Sequence, residues 1–359
     1  MSAQNVGLNG TTMAQLRTGP WNLTDLKDVQ SNGKKVFSIF HCGGGSTMGY
    51  KLAGYEVLGG VEIDPEMMAI YRANHNPKHS FLMGVEQFNK IPRDKIPKEL
   101  FELDILDGSP PCSSFSMAGS REKEWGEKKK FREGQADQVL DDLFFHFIET
   151  ARILQPKIVV AENVKGLVMG KAKGYVKQIF NMFNIAGYET QLFVLNAAFM
   201  GVPQRRERTF FIAKRKDLKL PKIKLQFNEK PINFSEIDEG EVKLTNALNL
   251  TPTASKWWPK TKPGDSFSSV HPKGSLFNWK KVSLNKPLPT LAAGDGNKNF
   301  HPVYPRRLTD REWILGQTFP DDYADIGVGI RYVCGMSVPP FMMQRIADQI
   351  ERQLLNGQT

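Results

Sequence analysis

The stretch Asp107-Gly108-Ser109-Pro110-Pro111-Cys112-Ser113-Ser114-Phe115-Ser116 presents one thiol on a loop stiffened by consecutive prolines. Pro-Pro fixes the direction of the backbone, so the Cys112 sulfur would be held by geometry. A thiolate attacks electron-poor carbon, and it needs neighbours that favour its charge. A lone cysteine is more commonly a buried, inert hydrophobe. The polar, turn-forming surroundings of Cys112 argue against that here. A second group, Glu162-Asn163-Val164, closes the apolar run Val159-Val160-Ala161. A carboxylate at the carboxyl end of a strand faces the cleft where open sheets bind ligands. A third, Gln204-Arg205-Arg206-Glu207-Arg208, precedes another apolar run, and alternation would set Gln204, Arg206 and Arg208 on one face. Charged clusters are usually solvated faces, but arginines so spaced beside an apolar run suit a polar ring or a phosphate.

A fourth feature points to a cofactor. Phe37-Ser38-Ile39-Phe40-His41-Cys42 runs into Gly43-Gly44-Gly45-Ser46, and the next apolar run ends Gly60-Val61-Glu62-Ile63-Asp64. Glycines at a strand's end let backbone approach a ligand, and an acid ending the second strand accepts hydrogen bonds from ribose hydroxyls. Together they indicate a nucleoside-type cofactor, the other reading being a glycine-rich turn with no ligand.

These groups need a scaffold. Residues 36–40, 57–63, 103–107, 157–163, 190–195 and 209–213 read as strands separated by amphipathic stretches, an α/β fold on a mostly parallel sheet. Val139, Leu140, Leu143, Phe144, Phe147, Ile148 and Ala151 fall at helical spacing, with an end expected before Pro156. From Lys214 to about Lys286 the chain is Lys-rich and Pro-punctuated, with the exposed-looking aromatics Phe234, Trp257, Trp258, Phe267, Phe277 and Trp279. A last helix carries Phe341, Met342, Ile346 and Ile350. The expected divisions are a mobile extension 1–33, a catalytic domain 34–215, a smaller irregular domain 216–304 and a return segment 305–359.

The formal net charge of +10 favours a polyanionic partner, though charge alone is weak support. Three cysteines without a CxxC pair fit neither a disulfide framework nor a zinc ribbon, which implies a reducing, cytoplasmic setting. The polar first 33 residues lack the apolar core of a secretory signal, and no apolar run of about eighteen residues is present to span a membrane. The six histidines show no metal-ligand spacing, so no metal is expected.

The order of these elements is more telling than any one of them. Glycine loop, acid-ended strand, Pro-Pro-Cys, Glu-Asn-Val and Gln-x-Arg-x-Arg are followed by a variable basic region. Then come Pro287-Leu288-Pro289-Thr290-Leu291, His301-Pro302, Arg307-Leu308-Thr309, Gln317-Thr318-Phe319-Pro320 and Gly335-Met336-Ser337-Val338-Pro339-Pro340. Over roughly residues 35–355 the chain resembles the DNA cytosine-5 methyltransferases of bacterial or phage type.

The resemblance implies a Rossmann-like S-adenosylmethionine-dependent methyltransferase sheet with a smaller target-recognition domain. It implies methyl transfer to carbon 5 of a flipped-out cytosine in double-stranded DNA, through a covalent Cys112 adduct. Glu162 would hydrogen-bond the ring, Asn163 would order the cysteine loop, Arg208 with Arg206 assisting would bind the carbonyl side of the base or its phosphate, and Gln204 would belong to the same catalytic set. The cofactor would lie against Phe40, Gly43, Gly44, Gly45 and Ser46, with Glu62 on the ribose, Ile63 beside the adenine, and Ser337 and Val338 closing the pocket. Arg121–Gly134 would be a mobile catalytic loop closing on DNA. A monomer acting in a restriction-modification system, with a cognate endonuclease, completes the expectation. RNA cytosine methylation, or a catalytically weak DNA-binding relative, are the alternatives. Four positions depart from the family's pattern: Ser38 for an acid, Cys42 for a glycine, Val85 for an Asp that Glu86 would replace after a shift, and Met336 for an Asn.

Overall fold

The computed structural model of the chain describes residues 19–111, 142–169, 173–295 and 298–356, with the paired backbone of 128–129 and 138–139. It divides into two compact units. One contains Val29–Leu195, Glu207–Gln226 and the segment from Met343; the other contains Asn196–Arg206, Phe227–Met342 and the segment up to Asp28.

The first unit is built on seven strands: β1 (Lys35–Ile39), β2 (Glu56–Glu62), β3 (His79–Leu82), β4 (Ile105–Gly108), β5 (Ile158–Val164), β6 (Tyr188–Asn196) and β7 (Glu207–Arg215). Their order is β3-β2-β1-β4-β5-β7-β6. Pairing is parallel from β3 through β5, and β7 runs antiparallel against β5. This is the expected α/β sheet, and the six anticipated strands lie within two residues of their expected ends. The strand not anticipated, β3, is a short edge segment without a buried apolar face. Successive strands step away from β1 and β4 in opposite directions. The loops leaving their carboxyl ends therefore flank the switch point at which such sheets bind ligands.

Apolar residues of the strands, Phe37, Ile39, Leu106, Val159, Ala161 and Phe211, join one buried core with Phe144, Phe147 and Ile148 of α3 (Leu143–Leu154) and with Ile179 and Phe183 of α4 (Lys173–Ile185). Each of these side chains larger than alanine contributes about 1.5–3 kcal/mol by leaving water. Helix α3 starts at Leu143, later than the periodicity suggested, because Val139 pairs with Lys128 in a short antiparallel ladder. It stops where Gln155 turns left-handed, immediately before Pro156. Helix α1 (Gly45–Leu52) opens from Gly44 at φ 84°, and α2 (Pro65–His75) is capped by Asp64, whose Oδ1 accepts from the amides of Glu66 and Met67.

The second unit is mostly irregular. Its aromatics are largely inside: Phe234 and Phe267 are fully buried, and Phe267 stacks on Phe300 with centroids 4.8 Å apart. Ala254 and Trp257 complete that cluster, with Trp258 and Trp279 packed against it, and of the six exposed-looking aromatics Phe277 is the one that is exposed. Helix α5 (Asp310–Gln317) begins in a reciprocal cap between Thr309 and Glu312. The Glu312 carboxylate also takes both ends of the Arg306 guanidinium at 2.9 and 2.7 Å, a buried two-bond pair. Within residues 1–33, the described part is anchored at one side chain. Trp21 is buried, its indole donates to the Thr318 carbonyl, and its own carbonyl accepts from Asp321. Helix α6 (Ile330–Met336) follows in this unit, and α7 (Pro340–Ile350), which runs from it into the first unit's last segment, continues as a π-helical turn over Glu351–Leu355.

Candidate active site

Within the first unit, the groups singled out by type converge on the carboxyl ends of β1, β4 and β5. Asn163 donates through Nδ2 to the Pro110 carbonyl at 3.0 Å, while its Oδ1 accepts from the Val164 amide. That clamp ties the strand bearing Glu162 to the Pro-Pro loop. Cys112 itself lies outside the described residues, as does Arg121–Gly134 apart from the paired backbone of 128–129. Arg208, opposite Val164 in the β7–β5 ladder, brings its Nε 3.0 Å from Glu162 Oε1. Both side chains are nearly buried, and burial pushes the Arg208 guanidinium down while Glu162 holds it charged. The site thus offers a carboxylate and a guanidinium side by side, suited to a ring with adjacent donors and acceptors.

The glycine loop after β1 is shaped by what lies under it. A Cβ on Gly44 would come 2.2 Å from His75 Nε2, so only glycine fits there at positive φ. His41 stacks on Tyr71 at 3.7 Å, and Tyr71 contacts His75 at 4.8 Å, forming a buried aromatic floor. Burial pushes His41 down to about 4 and His75 to about 3, so both rings are neutral. The His41 ring donates through Nδ1 to the Cys42 carbonyl, a structural job for a residue to which the sequence assigned none. Cys42 itself sits at φ 49°, the left-handed region, which is the physical reason a glycine is usual at that position. Phe40 shares that conformation at φ 59°.

Glu62 is buried, yet it is not blocked. Its Oε1 accepts from the Ile63 and Asp64 amides and its Oε2 from the Cys42 amide. Three amides occupy a group with about four acceptor sites, leaving room on Oε2 for one hydroxyl. Burial raises its pKa while those amides draw it down. Val85 is buried in the apolar core and offers nothing polar, and Glu86 Oε1 lies 3.3 Å from His146 Nε2. At another departure from the pattern, Ser38 donates through Oγ to Asp107 Oδ2 at 3.2 Å.

Other expected site residues belong to the second unit and are described there. Gln204 and Arg206 do not continue one strand face with Arg208: a short strand ends at Arg205, and β7 begins at Glu207. Gln204 is buried, donating to the Gly316 carbonyl and to Gln317 and accepting from the Leu291 amide. The Arg206 guanidinium is buried too, donating to the carbonyls of Leu291 at 2.8 Å and Gly335 at 3.0 Å. Both side chains pin loops together. Ser337 and Val338 are buried, and Gln317 donates to the Ser337 carbonyl. Asp238, His301 and Glu312 bring potential ligand atoms within 4.8 Å of one another, but Arg306 already supplies the cation there.

A model of the C-5 cytosine-specific DNA methylases matches residues 34–352. The chain belongs to that family. This methylase is 30% identical over 336 residues to the type II methyltransferase M1.HphI of Haemophilus parahaemolyticus, covering 89% of this chain and 87% of the relative. It is 30% identical to the type II methyltransferase M.NgoPII of Neisseria gonorrhoeae, covering 90% of this chain and 97% of the relative. Among solved structures, a DNA modification methyltransferase encoded within an E. coli prophage superposes with a TM-score of 0.70 at 21% identity, over 90% of this chain and all of the other. The methylase transfers a methyl group from S-adenosylmethionine to carbon 5 of cytosine in DNA. The residues around the glycine loop fit that cofactor: Gly44 admits backbone where a Cβ would collide, and Glu62 keeps an acceptor for a ribose hydroxyl. Among the described residues no helix is long and apolar enough to cross a membrane.

Proposed function

We propose that the methylase modifies cytosine in double-stranded DNA by covalent catalysis from Cys112, with Glu162, Asn163 and Arg208 around the reacting ring. The observation that carries this reading is the Asn163–Pro110 hydrogen bond, which links the Glu162–Arg208 pair to the loop immediately before Cys112. Cytosine carbon 5 is a poor nucleophile by itself. The Cys112 thiolate forms a bond to carbon 6 and pushes the ring's double-bond electrons onto carbon 5. Glu162 hydrogen-bonds ring nitrogen 3 and the exocyclic amine as that charge develops, and Arg208 holds Glu162 and the carbonyl side of the base. S-adenosylmethionine supplies the methyl group as an electrophilic sulfonium. Carbon 5 bonds that methyl as the methyl–sulfur bond breaks and its electron pair stays on sulfur, leaving S-adenosylhomocysteine. Carbon 5 then gives its proton to a water molecule, and those electrons restore the double bond as the carbon 6–sulfur bond breaks and Cys112 leaves as thiolate. Carbon 6 is inaccessible in a stacked duplex, so the base is flipped out first.

Phe40, Gly43, Gly44, Gly45, Ser46, Glu62 and Ile63 line the cofactor side; Ser337 and Val338 are assigned to the cofactor by the family's motif alone. Gln204 and Arg206 act at a distance, by holding the loops around Leu291 and Gly335. Residues 216–304 read the target sequence, and the net charge of +10 favours the DNA backbone. The type II relatives support a place in a restriction-modification system with a cognate endonuclease, in the cytoplasm where host DNA lies, with the methylase working as a monomer.

Expression in a host lacking cytosine methylation, followed by sequencing of its DNA with a modified-cytosine readout, tests the reading and yields the target site. Cys112→Ser should abolish methylation and keep DNA binding. Methylation by that variant would remove Cys112 from the mechanism.

A further inference from the structure

One buried carboxyl is left unused by this mechanism. Asp107, the penultimate residue of β4, is in register with Ser38 of β1, at the switch point between the glycine loop and the Pro-Pro loop, and is 2% exposed. Tyr50 of α1 donates to its Oδ1 at 3.3 Å and Ser38 to its Oδ2 at 3.2 Å, and Ser46 also hydrogen-bonds it. The charged group bearing on it from β5 is Glu162, itself acidic, and the phenol of Tyr71 on α2 is felt through space. Among the described residues, then, Asp107 is met by neutral hydroxyls and by a like charge, and by no cation. Burial pushes its carboxyl up to about 7, with the hydroxyls holding it back and Glu162 adding to the rise. Tyr50 is pushed far up by burial and by Asp107, so it stays a donor.

Hydroxyl donors assembled around a buried acid stabilise its ionised form, yet among the described residues no cation compensates its charge. A ligand cation with N–H donors is the complementary partner for such a group. Two of the three hydroxyls come from α1, the helix that the glycine loop opens, so Asp107 lies beside the cofactor's path.

We propose that Asp107 is the acceptor for the α-ammonium group of S-adenosylmethionine. The amides at the start of α1 suit the α-carboxylate of the same zwitterion. The sulfonium, the cofactor's other cation, carries no hydrogen to donate. The proposal rests on the glycine loop being the cofactor site. The chain thereby recognises the amino-acid end of its cofactor by one charge-assisted contact.

Calorimetry with S-adenosylhomocysteine and its desamino analogue separates this role from a structural one. The native protein should bind S-adenosylhomocysteine about ten- to a hundredfold more tightly than the desamino compound. Asp107→Asn should bring S-adenosylhomocysteine down to the desamino level and leave the desamino compound within about twofold of its native affinity. Equal weakening of both ligands, or of neither, would overturn the proposal. A second measurement needs no variant. The native protein's affinity for S-adenosylhomocysteine should fall as pH drops below about 7, where Asp107 takes up a proton, and its affinity for the desamino compound should stay flat. Parallel profiles would equally overturn it. Native protein that binds neither compound would sink the glycine-loop reading itself, and this proposal with it.

Discussion

Replacing Arg206 with methionine deletes the guanidinium and keeps most of the apolar stem. In the folded chain that guanidinium donates to the buried carbonyls of Leu291 and Gly335, which are 44 residues apart in sequence. A hydrogen bond from a charged group contributes about 1.5–3 kcal/mol, so losing both costs about 3–6 kcal/mol. That is a large share of the roughly 5–15 kcal/mol that holds a typical domain folded. Arg206→Lys keeps the charge but reaches one carbonyl at a time, and should lose about half as much. Urea unfolding followed by tryptophan fluorescence is the suitable assay, because Trp21, Trp257, Trp258, Trp279 and Trp313 all belong to the unit that contains Arg206. Methyl transfer per folded molecule is measured alongside. The result that refutes the reasoning is an unchanged unfolding midpoint with methyl transfer lost: Arg206 would then touch the base or a phosphate, as its place in the motif suggested.

Glu62→Gln replaces an acceptor of three amides with a group whose own N–H points at them, and S-adenosylhomocysteine affinity should drop about tenfold or more; unaltered binding in calorimetry would count against Glu62 as the ribose acceptor. Asp64→Ala removes the cap that accepts from the Glu66 and Met67 amides, and should lower the stability of the first unit by about 1 kcal/mol in denaturant titration. Gly44→Ala sets a Cβ against His75 at positive φ, and should abolish cofactor binding while the far-ultraviolet spectrum stays native; normal binding would mean the loop is laxer than its packing implies. His41 and His75 are held near 4 and 3, below the ordinary value of 6.5, so the unfolded chain binds protons that the folded chain refuses. Stability should therefore fall as pH drops from about 6.5 towards 4, and the double variant His41→Asn, His75→Gln should flatten that profile in a series of urea midpoints.

The sheet was legible because its central strands are buried on both faces. Runs such as Val159-Val160-Ala161 and Phe210-Phe211-Ile212 announce themselves by composition, and the chemistry-bearing residues stand directly after them. The order of those residues along the chain was enough to indicate the family and its reaction, since backbone connectivity alone brings the ends of parallel strands to one edge. Short-range pattern could not show where a polar side chain spends its hydrogen bonds. Gln204 and Arg206 read as a strand face, whereas their partners are carbonyls and amides about a hundred residues away in sequence. Asp107 read as the end of a strand before a reactive loop. It took the pairing of β1 with β4, and α1 packed over them, to surround it with hydroxyls and, among the described residues, no cation. Local sequence sets which segments are strand or helix and what chemistry each side chain carries. Which buried polar groups meet a partner is settled by contacts between segments distant in sequence, and those exist only once the chain has folded.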